Sequence, residues 1–198
     1  MHSVRTRLAG LTAGLAAAAV ALVTVSAPAS AAPSGSHGNK VGMSPAVVSP
    51  SSINRTNEKT AFDYFVNRGM TKIRAAGVIG NLDQESGMDP TIEQYGGGPG
   101  RGIAQWSTGG RWDTYASDNV VWYAANKDGG LSRWSLQAQL DFIWYELHTF
   151  SYYGFSDLHN ATTIDQAVIA FQNGYEGCGT CNTAARESYA QDAYNRYA

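Results

Sequence analysis

The stretch NLDQESGMDP, residues 81–90, decides the fold of this chain, because it shows a helix that ends on a carboxylate. Gly87 is typical of the position just past a helix C-terminus, where the backbone becomes left-handed. Thr71 is a suitable N-cap, since its side-chain oxygen can accept a hydrogen bond from a backbone amide of the first turn. The pattern therefore predicts a helix that begins after Thr71 and reaches Glu85 or Ser86.

Helical geometry places the polar residues of this helix around an apolar stripe. At about 100° per residue, Glu85 lies about 20° from Val78 and flanks the stripe, whereas Gln84 points away from it. Asp83 flanks the opposite edge, so the helical wheel does not distinguish the two carboxylates. Glu85 is favoured because it lies in the last turn, nearest the loop that follows. The stripe is formed by Ala75, Val78, Ile79 and Leu82.

The rest of the folded part predicts a mainly α domain, because no segment shows the alternation of a strand over more than a few residues. The glycine-rich stretch at 96–102 precedes the run Ile-Ala-Gln-Trp at 103–106, so we expect a loop or small hairpin that flanks a cleft. Thr56 is a candidate cap for the first helix. Helical periodicity covers residues 57–68, 71–86, part of 112–125, 135–148, 163–172 and 183–197.

The N-terminal residues predict export. Arg5 and Arg7 precede a long apolar run, and the small residues Ala29-Ser30-Ala31 follow it, which is typical of a secretory signal peptide at 1–31. A retained membrane anchor is the alternative, since the run could just span a bilayer. Residues 32–54 have the composition of a flexible linker, and 55–198 have the size of one domain. We therefore expect a secreted, extracellular protein.

Charge narrows the range of partners. Without the two arginines of the signal peptide, 12 basic residues remain against 16 acidic ones, a formal net charge of −4. This disfavours nucleic acid and anionic membranes as partners. No phosphate-binding loop pattern is present, and we expect no cofactor. The interpretation is a monomer that acts on an extended, hydrogen-bonding polymer or a small molecule.

Glu85 has the predicted surroundings of a proton donor. Burial at the margin of an apolar core disfavours the charged form of a carboxyl group, which prepares it to deliver a proton. Glycosidic bond cleavage needs such a donor, because the leaving sugar oxygen must be protonated as the bond breaks. The alternative is structural: Glu85 pairs with Arg74 or another cation, or lies solvated at the helix end.

Several short segments together match one known pattern. They are AAGVIGNL at 75–82, QESG at 84–87, Pro90, GIAQW at 102–106, QLDFI at 139–143 and Tyr175-Glu176. This pattern resembles the phage tail lysozyme family, within the lysozyme-like superfamily that includes goose-type lysozymes and lytic transglycosylases. The resemblance covers about residues 60–197. It implies an α+β lysozyme-like fold and a peptidoglycan glycosidase that cleaves between N-acetylmuramic acid and N-acetylglucosamine, with Glu85 as general acid.

The resemblance also implies roles for later residues. Gln105 would lie across the cleft from Glu85, and Tyr175 corresponds loosely to a late Tyr-Asn-Ala-Gly element of the transglycosylases. Trp106 adjoins Gln105 and is the tryptophan best suited to stack on a sugar ring. Glu176 stands where the transglycosylases have an amide, and it is the favoured second carboxylate for activating water, with a solvated loop residue as the alternative. The other candidates are Asp89, Glu93 and Asp113.

Cys178 and Cys181 are the only two cysteines, and in an exported chain we expect them to form a disulfide beside Glu176. A zinc site would need His148 or His159 to join them. Their spacing matches no usual zinc finger, so no metal is expected.

Three alternatives to a glycoside hydrolase differ in the residues that they need. A lytic transglycosylase would use a single Glu and release anhydro products. A non-catalytic cell-wall glycan-binding module would keep the aromatic residues and the glycine-rich loop but would not need an acid at Glu85. A peptidase built on Cys or Ser is disfavoured, because neither a Cys-His signature nor a Gly-x-Ser-x-Gly elbow is present.

Overall fold

The computed structural model describes residues 52–198. The predicted signal peptide and the predicted linker up to residue 51 lie outside the described residues. The described part is mainly helical with one small antiparallel sheet, which confirms the predicted fold class. The helices are α1 Arg55–Asn67, α2 Lys72–Ser86, α3 Val120–Asn126, α4 Leu136–Thr149, α5 Phe155–Asn160, α6 Ile164–Phe171 and α7 Thr183–Tyr197. The strands are β1 Gly100–Arg101 and β2 Trp106–Ser107.

Side-chain caps explain where most of the helices begin. The Thr71 side chain accepts a hydrogen bond from the Arg74 amide at 3.3 Å, as predicted, and α4 and α6 begin in the same way after a serine and a threonine. The predicted cap of α1 is wrong: Asn54 rather than Thr56 caps it, and Asn54 Oδ1 accepts from the Asn57 amide at 3.1 Å. The short helix α5 has no counterpart among the predicted helices.

α2 is the central helix of the domain, and α1, α6 and α7 pack around it. All of its residues from 75 to 84 are buried. Two glycines permit the closest approaches. A Cβ at Gly77 would lie 2.4 Å from the Cβ of Ala167 on α6, and a Cβ at Gly80 would lie 2.4 Å from the Arg186 carbonyl oxygen on α7. α2 therefore has no polar face turned to solvent along these residues.

Gln84 shows the effect of this enclosure. The expectation that it points away from the core is wrong, because the residue is fully buried. Neither its Oε1 nor its Nε2 has a hydrogen-bond partner among the described residues. A buried amide without partners lowers the free energy of unfolding, so Gln84 does not stabilise the fold through its polar atoms.

A buried ion-pair network joins the segment after β2 to α4 and to the π-helical turn Gln172–Glu176. Arg111 donates from Nε and Nη2 to the two carboxylate oxygens of Glu146, both at 2.8 Å, and from Nη1 to the Tyr175 carbonyl at 3.0 Å. Its guanidinium lies 4.4 Å from the ring centroids of Tyr153 and Tyr175. Burial raises the pKa of Glu146 to about 7, against the opposing effect of Arg111. The network therefore fixes the turn that carries Tyr175.

Candidate active site

The backbone turns sharply directly after Glu85. Gly87 and Met88 are both left-handed, with φ of 60° each. Ser86 holds this turn, because its Oγ donates to the Leu82 carbonyl at 3.0 Å and accepts from the Met88 amide at 3.1 Å. The predicted helix stop at Gly87 is confirmed. The Glu85 backbone therefore lies where α2 gives way to the segment that leads into the hairpin.

The glycine-rich stretch forms a small hairpin. β1 and β2 pair antiparallel, with Gly100 opposite Ser107. Gln94 extends the pairing: its amide donates to the Gly100 carbonyl at 2.9 Å, and its side-chain Oε1 accepts from the Gly100 amide at 3.0 Å. The loop Tyr95–Gly97 lies before β1, between Gln94 and Gly100, and Tyr95 is 74% exposed. The hairpin is therefore preceded by an exposed loop that carries an aromatic residue and is closed by the hydrogen bonds between Gln94 and Gly100.

Gln105 folds back into the hairpin loop. Its backbone is left-handed, with φ of 49°, which costs a residue other than glycine about 1 kcal/mol or more. Its Nε2 donates to the Gly102 carbonyl at 3.1 Å, and a Cβ at Gly100 would lie 2.6 Å from its Oε1. Gly100 therefore makes room for the amide. The predicted approach of Gln105 to Glu85 stays a prediction.

Gln139 on α4 fixes the turn between β1 and β2. Its Oε1 accepts from the Ile103 amide at 2.9 Å, and its Nε2 donates to the carbonyls of Pro90 and Arg133, both at 2.8 Å. The side chain is fully buried. One amide therefore joins three separate segments of the chain, including the one that follows the Glu85 turn.

Glu85 forms an ion pair with an arginine of α7. Its side chain is 6% exposed, and its Oε1 accepts from Arg186 Nη2 at 2.6 Å. Arg186 lies in the first turn of α7 and is fully buried. The structural alternative named a cation partner for Glu85, and the partner is Arg186; Arg74 instead donates to the Ala161 carbonyl at 3.2 Å. The carboxylate is thus charge-compensated and fixed in direction at the margin of the core.

Asp83 lies about 200° from Glu85 around the α2 axis and has very different surroundings. It is fully buried, and neither of its carboxyl oxygens accepts from an N–H or O–H group of another described residue. Burial, and then the adjacent Glu58 carboxyl, raise the pKa of Asp83 well above its ordinary value. Glu58 has several donors: Arg55 Nη1 donates to both of its oxygens at 2.7 and 2.8 Å, and the Tyr197 hydroxyl donates at 2.8 Å.

The sequence profile of the phage tail lysozyme family matches residues 56–197, nearly all of the described part. The chain belongs to the phage tail lysozyme family. This confirms the resemblance stated above, and membership indicates a lysozyme-like enzyme that degrades peptidoglycan. A comparison with curated proteins finds no match for the chain.

Trp106 and Tyr175 are core residues in this member of the phage tail lysozyme family. Each is 1% exposed, and Trp106 Nε1 donates to the Tyr175 hydroxyl at 3.2 Å, while that hydroxyl donates to Glu146. The Trp106 ring packs against Phe142, and the Tyr175 ring stacks on Phe171. A ring so enclosed has no exposed face for a sugar. Contact of either ring with substrate stays a prediction, and it would require this packing to open.

Glu176 and the disulfide lie at the end of the π-helical turn. Glu176 is 2% exposed, so it is a buried residue rather than the solvated carboxylate of the alternative interpretation. Its predicted role as a second catalytic carboxylate stays a prediction. The Cys178–Cys181 disulfide is present, with the two Cα atoms 5.2 Å apart, which confirms the predicted pairing. The loop that it closes precedes α7 and hence Arg186.

The sequence interpretation missed two residues that build the site. Arg186 belongs to no recognised motif, and only the packing of α7 on α2 brings it to Glu85. Gln139 carried a usable signal, because a glutamine next to the apolar stripe of α4 is a polar residue on a buried helix face. Such a residue must find hydrogen-bond partners inside the domain.

Within residues 52–198, no group of three or more His, Cys, Asp or Glu side chains comes together in a way that could hold a metal ion. None of the helices in this part of the chain combines the length and the apolar character that a bilayer crossing requires.

Proposed function

We propose that this protein is a secreted glycosidase that cleaves the bond between N-acetylmuramic acid and N-acetylglucosamine in peptidoglycan, with Glu85 as general acid. The observation that carries the proposal is the contrast between the two acids at the end of α2. Asp83 is enclosed and paired with Glu58, whereas Glu85 lies at the margin, directly before the turn towards the hairpin. A glycan strand can approach the margin of the domain but not its interior.

In the structure the Glu85 carboxylate is paired with Arg186, so the proposed chemistry begins when Glu85 takes up a proton. It transfers its proton to the glycosidic oxygen, and the electrons of the bond between the anomeric carbon and that oxygen pass to the leaving group. Positive charge builds on the sugar ring, and the carboxylate left at Glu85 carries the opposite charge. Because a general acid acts only when protonated, the cleavage rate should fall as the pH rises. A rate that stays constant from acid to strongly alkaline pH argues against this role.

The second step distinguishes two products. In a hydrolase, water adds to the anomeric carbon and gives its proton to a carboxylate, for which the sequence favours Glu176. In a lytic transglycosylase, a hydroxyl of the muramic acid itself attacks the anomeric carbon and gives its proton to the Glu85 carboxylate, and the product carries an anhydro end. Glu176 lies directly after Tyr175 in the turn fixed by Arg111, but its burial means that water or glycan would have to reach it through the packed core.

The test compares the mature protein with Glu85→Gln on purified peptidoglycan, with soluble fragments analysed by mass spectrometry. Glu187→Gln on α7 is the matched control, because it makes the same chemical change outside the Glu85 ion pair. We expect loss of fragment release in Glu85→Gln only, by about 100-fold or more. Equal release by both variants would show that Glu85 is not the acid, and binding without release by the unchanged protein would favour the glycan-binding module.

The same products define the reaction type. Reducing ends in the fragments support hydrolysis, and loss of release in Glu176→Gln would then support Glu176 as the base. Anhydro ends support transglycosylation, for which Glu176 is not needed as a base.

Export is tested separately. We expect the full chain to be exported by a bacterial secretion host, with a new N-terminus near Ala31 or Ala32. Full-length protein that stays with the cell membrane would instead support a retained anchor.

A further inference from the structure

Arg186 carries a charge that is completely removed from solvent, and its hydrogen bonds connect three parts of the domain. Nε donates to the Cys181 carbonyl at 2.7 Å, Nη1 to the Asn81 Oδ1 at 3.0 Å and carbonyl at 3.3 Å, and Nη2 to Glu85 at 2.6 Å. A buried guanidinium is tolerated only when its donors are satisfied and its charge is balanced. In this site the balancing charge is the Glu85 carboxylate.

The acceptor for Nε belongs to the disulfide loop. Cys181 is bonded to Cys178 three residues earlier, and the loop is half-buried at both cysteines. The disulfide restricts the positions that the Cys181 carbonyl can take. A restricted carbonyl in turn fixes the plane of the guanidinium, because Nε and the two Nη atoms lie in one rigid group.

The opposite side of Arg186 rests on α2 itself. Asn81 is fully buried, and its Nδ2 donates to the Gly77 carbonyl at 2.8 Å and to the Val168 carbonyl at 3.2 Å. Its Oδ1 therefore has a fixed position when it accepts from Arg186. The guanidinium is held from two sides, and its remaining donor points at the carboxylate one turn further along α2.

We propose that Arg186 is a positioning residue for Glu85, and that the Cys178–Cys181 loop is the anchor of Arg186. This inference rests on the proposed role of Glu85 as general acid. Arg186 acts through Glu85 by limiting the directions in which that carboxyl can point. Misplacement of a reacting group by about 1 Å can lower a rate by about 100-fold, so loss of the guanidinium should lower kcat far more than it changes KM.

Three changes test the connection. Arg186→Met removes all donors, and we expect kcat to fall by about 100-fold with KM changed by less than about threefold. Arg186→Lys keeps the charge but not the planar fork, so it should recover part of the lost kcat. Cys178→Ser/Cys181→Ser keeps the guanidinium but frees its anchor, so kcat should fall by about 10-fold.

The decisive comparison adds Arg186→Met to the double serine variant. If the disulfide loop acts through Arg186, the combined variant should be no worse than Arg186→Met alone, because the two changes interrupt one connection. Arg196→Met is the control, since it makes the same substitution on an exposed part of α7, and we expect no change in kcat. All rates are measured on solubilised peptidoglycan strands, with folding checked by circular dichroism and thermal unfolding.

The outcomes separate this inference from the proposed function. Wild-type kcat in Arg186→Met, with an inactive Glu85→Gln, overturns the positioning role and leaves the proposed function intact. An active Glu85→Gln overturns the proposed function itself. If the losses of kcat from Arg186→Met and from the double serine variant multiply in the combined variant, the loop does not act through Arg186, and its anchor role is overturned. If Arg186→Met does not fold, the double serine variant decides, and a folded protein with unchanged kcat overturns the proposal.

Discussion

The acid pair of Asp83 and Glu58 predicts an unusual dependence of stability on pH. Folding raises the pKa of Asp83, because the residue is buried and lies beside the Glu58 carboxyl. In the unfolded chain the pKa of an aspartate is about 3.9. Below that value both states hold the proton, and this contribution to the free energy of unfolding is complete. As the pH rises, the unfolded state loses the proton first. Stability is therefore lost from about pH 4 upward until the folded pKa is passed.

Asp83→Asn tests this reasoning. The amide does not ionise, so no proton has to be bound at this position on folding. A single extra proton in the folded state makes the free energy of unfolding fall by up to about 1.4 kcal/mol per pH unit. We expect this part of the slope to disappear in Asp83→Asn, and the variant to exceed the wild type in stability at neutral pH.

The assay is urea unfolding of both proteins, followed by tryptophan fluorescence at several pH values above pH 4. Glu146 also has a raised pKa, about 7, and contributes a slope of the same sign, so the difference between the two proteins isolates Asp83. Asp63→Asn on α1 is the control, because its side chain is 49% exposed. Parallel curves for wild type and Asp83→Asn would refute the raised pKa of Asp83. A variant that is less stable at every pH would refute it as well.

Three further predictions concern stability and are measured by urea unfolding. Gly80→Ala should lower the free energy of unfolding by about 1–3 kcal/mol, since its Cβ would lie 2.4 Å from the Arg186 carbonyl; an unchanged value means that α7 shifts without cost. Arg111→Met should lower the free energy of unfolding by about 3–5 kcal/mol, because it leaves the Glu146 carboxylate buried without its partner. A decrease below about 1 kcal/mol contradicts this. Gln84→Met should be neutral or stabilising by about 1 kcal/mol, because the buried amide has no partner among the described residues; clear destabilisation would point to a hidden bound water.

Local signals made most of the helices predictable. The cap at Thr71 and the stop at Gly87 depend on residues within a few positions of each other, so the bounds of α2 follow from the sequence. The cap of α1 was harder, because Asn54 and Thr56 are both good caps and only the tertiary contacts select one. α5 has only six residues, too few for a helical period to be seen.

The site was less predictable because its contacts are distant in sequence. Arg186 and Glu85 are 101 residues apart, and nothing in the sequence of α7 marks the arginine as the partner of Glu85. The exposure of individual side chains could not be predicted from the sequence either. Trp106 adjoins the loop, yet it is buried because its ring packs beside α4. Gln84 was misplaced for a related reason, since a helical wheel assumes a solvent-facing side that α2 does not have.

The Gln139 contacts give the turn between β1 and β2 dynamics that differ from those of the exposed loop at 95–97. The Ile103 amide is bonded to a fully buried side chain, so its hydrogen exchange should report opening of the domain rather than of the loop. The glycines at 96 and 97 lie beside the exposed Tyr95 and should exchange rapidly. Motion of residues 93–107 is then confined to the exposed loop at 95–97, while the turn between β1 and β2 keeps a constant distance from α4.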